Sequence, residues 1–269
     1  MEHSTEILYN KTEVYCSTVH RFGSDALLLA RFCEPRRSQK AADLCSGCGI
    51  VSLEWHDRGH RGPCAAVELQ PEASALLQEA VAAQGIGHIT PYLTDLRTFR
   101  EGEGRFDVCA CNPPYFTAGP QSTDAGRATA RHETDCTLED VCACGFRLLK
   151  DGGRLALCHR PERLAGAGGA AGAPSQPKRL AFVKNRPDAA PWLFLVEAQK
   201  NRRTGLRIEP DVLIRWRGDV WFRCVSRETV KLSFLSGEFA RWWRGLDAFP
   251  LRLLCCQREP EWFRAGSAD

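Results

Sequence analysis

Asp43-Leu44-Cys45-Ser46-Gly47-Cys48-Gly49, set between the apolar start Ala41-Ala42 and the helical-looking run Ile50-Val51-Ser52-Leu53-Glu54-Trp55, fixes the fold class. It reads as a strand, a glycine turn and a helix. Glycine has no Cβ, so Gly47 and Gly49 allow positive φ and a close approach of backbone to ligand, the usual way an α/β sheet admits an adenosyl-type ligand at its carboxyl edge. No third glycine completes a dinucleotide fingerprint and no Walker lysine is present, so alone the loop is a weak signal.

Downstream, Cys64-Ala65-Ala66-Val67 reads as a second strand ending in Glu68. Pro71 to Val81 follows, with apolar residues at 73, 76, 77, 80 and 81 and Gly85 as a stop, which predicts an amphipathic helix. Ile89 to Leu93 ends near Asp95, and Phe106 to Cys111 ends at Asn112. Asp43, Glu68, Asp95 and Asn112 thus stand at the carboxyl ends of four successive predicted strands. In an open parallel sheet those ends form one crevice, where ligands bind. Each acid alone also fits a turn cap or a solvated carboxylate; the set together points to a cofactor cleft.

Asn112-Pro113-Pro114-Tyr115 carries the chemistry. The nitrogen of an aromatic amine or carboxamide is a poor nucleophile because its lone pair is delocalised. Two acceptors, the Asn112 side-chain oxygen and the Pro113 carbonyl, would take its two hydrogens and free that lone pair for an electrophile. Consecutive prolines fix φ and bring no competing N–H, and Tyr115 offers a face for a base to stack on. The tetrapeptide by itself fits a plain Pro-Pro turn equally well.

With these motifs assembled, the chain resembles class I S-adenosylmethionine-dependent methyltransferases of the Asn-Pro-Pro-Tyr amino-methylating group, and most closely the tRNA(Val) adenine-37 N6-methyltransferase family. His20 to Ala30, Ala130-Arg131-His132-Glu133, and Glu197-Ala198-Gln199-Lys200 through Gly205-Leu206 carry the closer likeness. The resemblance implies an α/β fold with a seven-stranded mixed sheet, helices on both faces and a final antiparallel hairpin. It implies S-adenosyl-L-methionine as cofactor, held by Asp43, Ser46, Gly47, Gly49, Glu68, Asp95, Leu96 and Asn112. Glu68 would take the ribose hydroxyls and Asp95 with Leu96 the adenine, while Asn112, Pro113, Pro114 and Tyr115 would grip the target amine. Three regions are expected: 1–34 packing over the cofactor site, 35–217 as the methyltransferase domain, and 218–269 as an extension of unassigned role. The same loop would serve a release-factor glutamine or a guanine N2 amine, and a cofactor-binding subunit without catalysis is the rival of another class.

Composition agrees with a folded enzyme: 269 residues, 43% hydrophobic, 26% charged. Polar residues 1–20 give no signal peptide, and Ala26 to Ala30 is far too short to span a bilayer, so a cytoplasmic monomer without membrane or metal partner is expected. The 14 cysteines lack paired zinc spacing and read mostly as small core residues. Net charge is +3, but Lys178 to Arg217 holds ten basic residues against four acidic ones. Lys200, Arg202 and Arg203 within it read as a phosphate track for tRNA or as a solvated loop. Thr137-Leu138-Glu139-Asp140 predicts a capped helix start, and Leu180 to Lys184 with Trp192 to Ala198 the last two strands. The glycine-rich stretch Leu164 to Pro174 predicts a frayed helix or loop. The tail from Val225 to Asp269, with Phe239, Trp242, Trp243, Phe249 and Trp262, has no counterpart in the family.

Overall fold

In the computed structural model, which describes residues 3–113, 136–165, 175–215, 219–223 and 229–232, the glycine turn lies between a strand and a helix as its sequence predicts. A hairpin of β1 (Ser4–Ile7) and β2 (Glu13–Cys16) and helix α1 (Ser24–Phe32) come first. Then follow β3 (Ala41–Leu44), α2 (Ile50–Asp57), β4 (Cys64–Glu68), α3 (Pro71–Ala83), β5 (Ile89–Leu93) and β6 (Phe106–Cys111). Helix α4 (Leu138–Leu148) leads into β7 (Leu149–His159), and β8 (Ser175–Lys184) and β9 (Leu193–Lys200) form a hairpin.

The strands pair in the order β5-β4-β3-β6-β7-β9-β8, all parallel except β9. This is the expected seven-stranded mixed sheet. It continues past β8 through β11 (Val212–Arg215), β12 (Asp219–Arg223) and β13 (Thr229–Leu232), with the short β10 (Arg207–Ile208) also on the β8 edge. The pairing of β11 with β12 carries the sheet across residue 217, and β13 places part of the tail at its edge.

Successive side chains of a strand alternate between faces, so each strand feeds two cores. Val108, Ala110, Ala156 and Cys158 pack on one face with α1, α2 and α3 through Leu28, Leu53 and Leu77. Phe106, Cys109, Cys111, Leu155 and Leu157 pack on the other with Leu138, Val141 and Leu148 of α4. The central strands are buried on both faces and correspondingly short of bulk, Ala41-Ala42 and Ala65-Ala66 letting the helices approach closely. Helix α4 begins at a capping box: Thr137 Oγ1 accepts the Asp140 N–H at 3.2 Å and the Asp140 carboxylate accepts the Thr137 N–H at 3.0 Å.

The buried Asp57 carboxylate anchors the amino-terminal hairpin by accepting the N–H groups of Asn10 at 2.9 Å and Thr12 at 3.1 Å. Helices α1 and α2 are joined by Arg31 and the buried Glu54 at 2.9 Å and by the Trp55 indole N–H donating to Ala30 O at 2.9 Å.

At the amino edge of the sheet, His56 Nδ1 and His88 Nε2 lie 3.3 Å apart in a stacked pair, with His60 edge-on to His88. Burial holds all three imidazoles below their ordinary range and repulsion from Arg61 adds to it; His60 also repels His56, and His56 and His60 together help bring His88 down to about 4. A base whose folded pKa is depressed binds fewer protons in the native state than in the unfolded chain, so stability falls as pH drops from about 6.5 toward 4. The thermal midpoint is expected to decline on acidification from pH 7 to 5, and less steeply in His88→Gln; equal slopes would show that this cluster does not govern the decline.

Candidate functional site

Register decides which side chains meet at the carboxyl edge. Leu44 of β3 lies opposite both Val67 of β4 and Cys111 of β6, and Cys111 lies opposite Leu157 of β7. One residue further on, the strands present Cys45, Glu68, Asn112 and Cys158 along a single rim.

Cys45, Gly47 and Gly49 all hold left-handed backbone, at φ 55, 55 and 83. Gly49 caps α2, and a Cβ there would sit 2.3 Å from Leu77 Cδ1, so both φ and packing require glycine. A Cβ on Gly47 would meet nothing within 4 Å; this glycine opens onto space rather than onto protein. The carboxylate of Glu68 ties the loop to β4, accepting the Gly47 N–H at 2.7 Å and the Gln70 N–H at 2.9 Å. Asp43, buried beneath the loop, accepts the Ser52 N–H at 3.0 Å in the first turn of α2. Burial raises its carboxyl to about 7 against the pull of the Ser52 donors, and the Glu68 charge adds to the rise.

These residues fit an adenosyl sulfonium ligand. Gly47 leaves a cradle that any side chain would fill, the buried Ser46 Oγ has no hydrogen-bond partner, and Glu68 keeps acceptor capacity beyond its two amides. Beyond β5, Asp95 is turned onto Arg97, whose N–H and Nε reach its Oδ1 at 2.8 and 3.0 Å; those hydrogen bonds hold its carboxyl below the usual carboxylate range. Leu96 beside it is buried.

Asn112 is held on both sides of its amide. Its Nδ2–H donates to Asp25 Oδ2 at 3.1 Å, and Cys158 Sγ donates to its Oδ1 at 2.9 Å. Burial keeps the Cys158 thiol protonated, as a donor must be. Neither partner was picked out as a site residue in the sequence. The alternation signal was available for Cys158, since Ala110 and Ala156 share one core and the residues two further on, Asn112 and Cys158, therefore share its face. Asp25 had only its place in the first turn of a helix.

The basic run stands apart. Strand β9 is antiparallel to β7 with Leu195 opposite Cys158, so Lys200 lies at the amino edge, about 17 Å away at about 3.3 Å per residue. Its ammonium donates to Phe146 O and Leu149 O, both at 2.8 Å, capping the end of α4 over the Phe146 ring. Arg202 and Arg203 are exposed on the same edge. Pro113 is buried next to Asn112, whereas Pro114, Tyr115, the Arg131-His132-Glu133 stretch, glycine-rich residues 166–174 and the aromatic tail lie outside the described residues.

Among the described residues the eleven cysteines are free, nine of them buried, and no group of three histidine, cysteine or acidic side chains is placed to hold a metal. Among those residues no helix is long and apolar enough to cross a membrane.

The methyltransferase small domain model matches residues 6–159, from β1 to the end of β7. The tRNA1(Val) (adenine(37)-N6)-methyltransferase of Parabacteroides distasonis is 29% identical over 180 residues, covering 66% of this chain and 76% of that protein. Its namesake from Aeromonas hydrophila is 31% identical over 140 residues, covering 51% and 58%, so the chain spans little more than half of that relative. Of solved structures, a predicted O-methyltransferase from Agrobacterium tumefaciens superposes with TM-score 0.58 at 20% identity, over 71% of this chain and 87% of its own. Geranyl diphosphate C-methyltransferase from Streptomyces coelicolor, in complex with Mg2+, geranyl diphosphate and S-adenosyl-L-homocysteine, reaches 0.50 at 12% identity over 66% and 77%. At such identities the likeness is one of fold.

The two loop glycines differ in what they cost to replace. Gly49→Ala combines a left-handed φ with a collision against Leu77 and is expected to lose about 2–4 kcal/mol in denaturant unfolding. Gly47→Ala meets no neighbour and is expected to lose only about 1–2 kcal/mol. Equal losses would remove packing as the reason for Gly49.

Proposed function

The chain belongs to the methyltransferase small domain family, and from that membership we propose that it transfers a methyl group to the exocyclic N6 amine of an adenine in tRNA, at position 37 beside the anticodon. S-adenosyl-L-methionine is the cofactor; when bound it supplies a methyl on positive sulfur with a neutral thioether as leaving group, so the reaction asks mainly for alignment. That its relatives are tRNA1(Val) (adenine(37)-N6)-methyltransferases supports the tRNA reading. The observation that carries the chemistry is Asn112, fixed by Asp25 and Cys158 at the tip of β6, one strand from the glycine loop.

On this reading Asp43, Ser46, Gly47 and Gly49 line the methionine and ribose side, Glu68 takes the ribose hydroxyls, and Asp95 with Leu96 borders the adenine. Asn112 Oδ1 accepts up to two hydrogen bonds. Cys158 takes one and the incoming amine takes the other. The Pro113 carbonyl takes the second amine hydrogen, which moves the nitrogen toward sp³ and aims its lone pair. Pro114 stiffens the bend and Tyr115 stacks on the base. The extra proton leaves to water. A tRNA substrate puts the enzyme in the cytoplasm.

Incubating the protein with isotopically labelled methyl donor and separate pools of tRNA, ribosomal RNA and release factor, then analysing products by mass spectrometry, tests the acceptor. Label in N6-methyladenine of tRNA is the expected result; label in glutamine or in guanine N2 would replace it. Asn112→Ala should keep cofactor affinity within a few-fold yet lower turnover by roughly 100-fold or more. Undiminished turnover would refute the amine clamp.

Arg202 and Arg203 are proposed to touch tRNA phosphates remote from the target base, as their place on the amino edge requires. Arg202→Ser with Arg203→Ser should raise KM for tRNA, leave kcat unchanged and flatten the salt dependence of binding by about one to two ions. If affinity and salt slope both stay at wild-type values, this run is ordinary surface.

A further inference from the structure

Asp25 sits in the first turn of α1, 87 residues before Asn112, and its carboxylate accepts from the Asn112 side-chain NH₂ at 3.1 Å. An amide can turn over and exchange its N and O ends; a carboxylate facing one end and a thiol donor facing the other leave a single orientation that satisfies both. Gly23, at the N-cap of α1, keeps the space this carboxylate needs, since a Cβ there would lie 2.4 Å from Asp25 Oδ1.

We propose that Asp25 is the positioning residue of the amine clamp: it orients the Asn112 amide with Oδ1 toward the acceptor nitrogen and, through its charge, makes that oxygen a stronger hydrogen-bond acceptor. The physics is that of coupled hydrogen bonds. An anion accepting from the amide N–H draws the amide toward its charge-separated resonance form and places more negative charge on Oδ1, and such charge-assisted bonds are about twice as strong as neutral ones. Cys158 is matched to this role. A thiol is a weak donor, so it marks the oxygen's position without consuming the acceptor strength that the amine needs. The helix that follows the amino-terminal hairpin therefore reaches into the acceptor site through one side chain, and its Arg31 ties it to the buried Glu54 of α2. This inference rests on the amine-clamp reading of Asn112 but not on the identity of the acceptor.

The test is a double-mutant cycle between Asp25 and Asn112, run on whichever amine acceptor the product analysis identifies. Asp25→Asn keeps a hydrogen-bond acceptor of the same shape and removes the charge; kcat is expected to fall about 10- to 100-fold, the factor that one charge-assisted hydrogen bond is worth, with the dissociation constant for S-adenosyl-L-methionine within twofold of wild type. In the Asn112→Ala background the same change should cost nothing further. Turnover within twofold of wild type in Asp25→Asn, or the same loss in both backgrounds, would overturn the proposal. A parallel loss of cofactor affinity would do so too, because it would mark Asp25 as merely structural. If Asn112→Ala itself keeps full activity, the clamp reading fails instead, so the two failures are distinguishable. A reading without turnover comes from the Asn112 side-chain NH₂ resonances in isotope-labelled protein. They should be protected from solvent exchange in wild type and lose that protection in Asp25→Ala and in Gly23→Ala, while unchanged exchange in both variants would refute the contact.

Discussion

The register of β3 against β4 and β6 is the constraint on which the site depends. Because side chains alternate faces at every residue, a slip of one position in this ladder would send Glu68 and Asn112 to the opposite core and bring Val67 and Cys111 to the helix-α1 side. The register is held by burial: both faces of the central strands are largely apolar, and the polar groups toward the carboxyl edge are satisfied by a loop amide at Glu68, by the first turn of α2 at Asp43, and by side chains of α1 and β7 at Asn112. Asp43 is the costly member. It is almost fully buried, its carboxyl is pushed up to about 7, and the Ser52 donors offset only part of that desolvation. On the proposed reading a bound sulfonium would favour its ionised form and offset part of that cost.

Much of this was legible in sequence because it is local. The glycine turn, the capping box at Thr137 and Asp140, the amphipathic period of α3 and the acids at strand ends depend on spacings of a few residues, which chain chemistry fixes directly. The final β8–β9 hairpin was likewise visible as two apolar runs around a turn. What was hidden is set by topology. Lys200, Arg202 and Arg203 are close in sequence to a strand of the catalytic sheet, but that strand runs against its neighbours, and one reversal moves its last residue to the far edge. The hydrogen bond from Asn112 to Asp25 spans 87 residues and leaves no periodic trace. The strands beyond β8 were not expected, although Val212 and Ile214 of β11 are buried in the same core as α1, α2 and α3.

The cysteines show how one residue type serves several purposes without redox chemistry. Cys64, Cys109 and Cys144 are buried core residues whose small volume lets helices approach the sheet, and burial holds their thiols protonated. Cys158 is as buried as these, yet the same protonation that makes it inert as a nucleophile makes it a dependable donor to Asn112. Position on the rim, rather than any special acidity, sets Cys158 apart from the thiols buried in the core.

The rim divides at β3. On its β4 and β5 side stand the glycine loop, Glu68 and Asp95, the groups assigned to the cofactor; on its β6 and β7 side stand Asn112 and Cys158, with Asp25 supplied from α1. The two halves are built from different segments of chain and are joined by the β3–β6 ladder and by the packing of α1 on α2. Such a division would let the acceptor half change without disturbing the cofactor half. On the proposed reading, selectivity for an amine would reside in the orientation of one amide. Turned the other way, Asn112 would present N–H donors to an amine that needs acceptors, and the same scaffold would hold its methyl donor beside a substrate it could not activate.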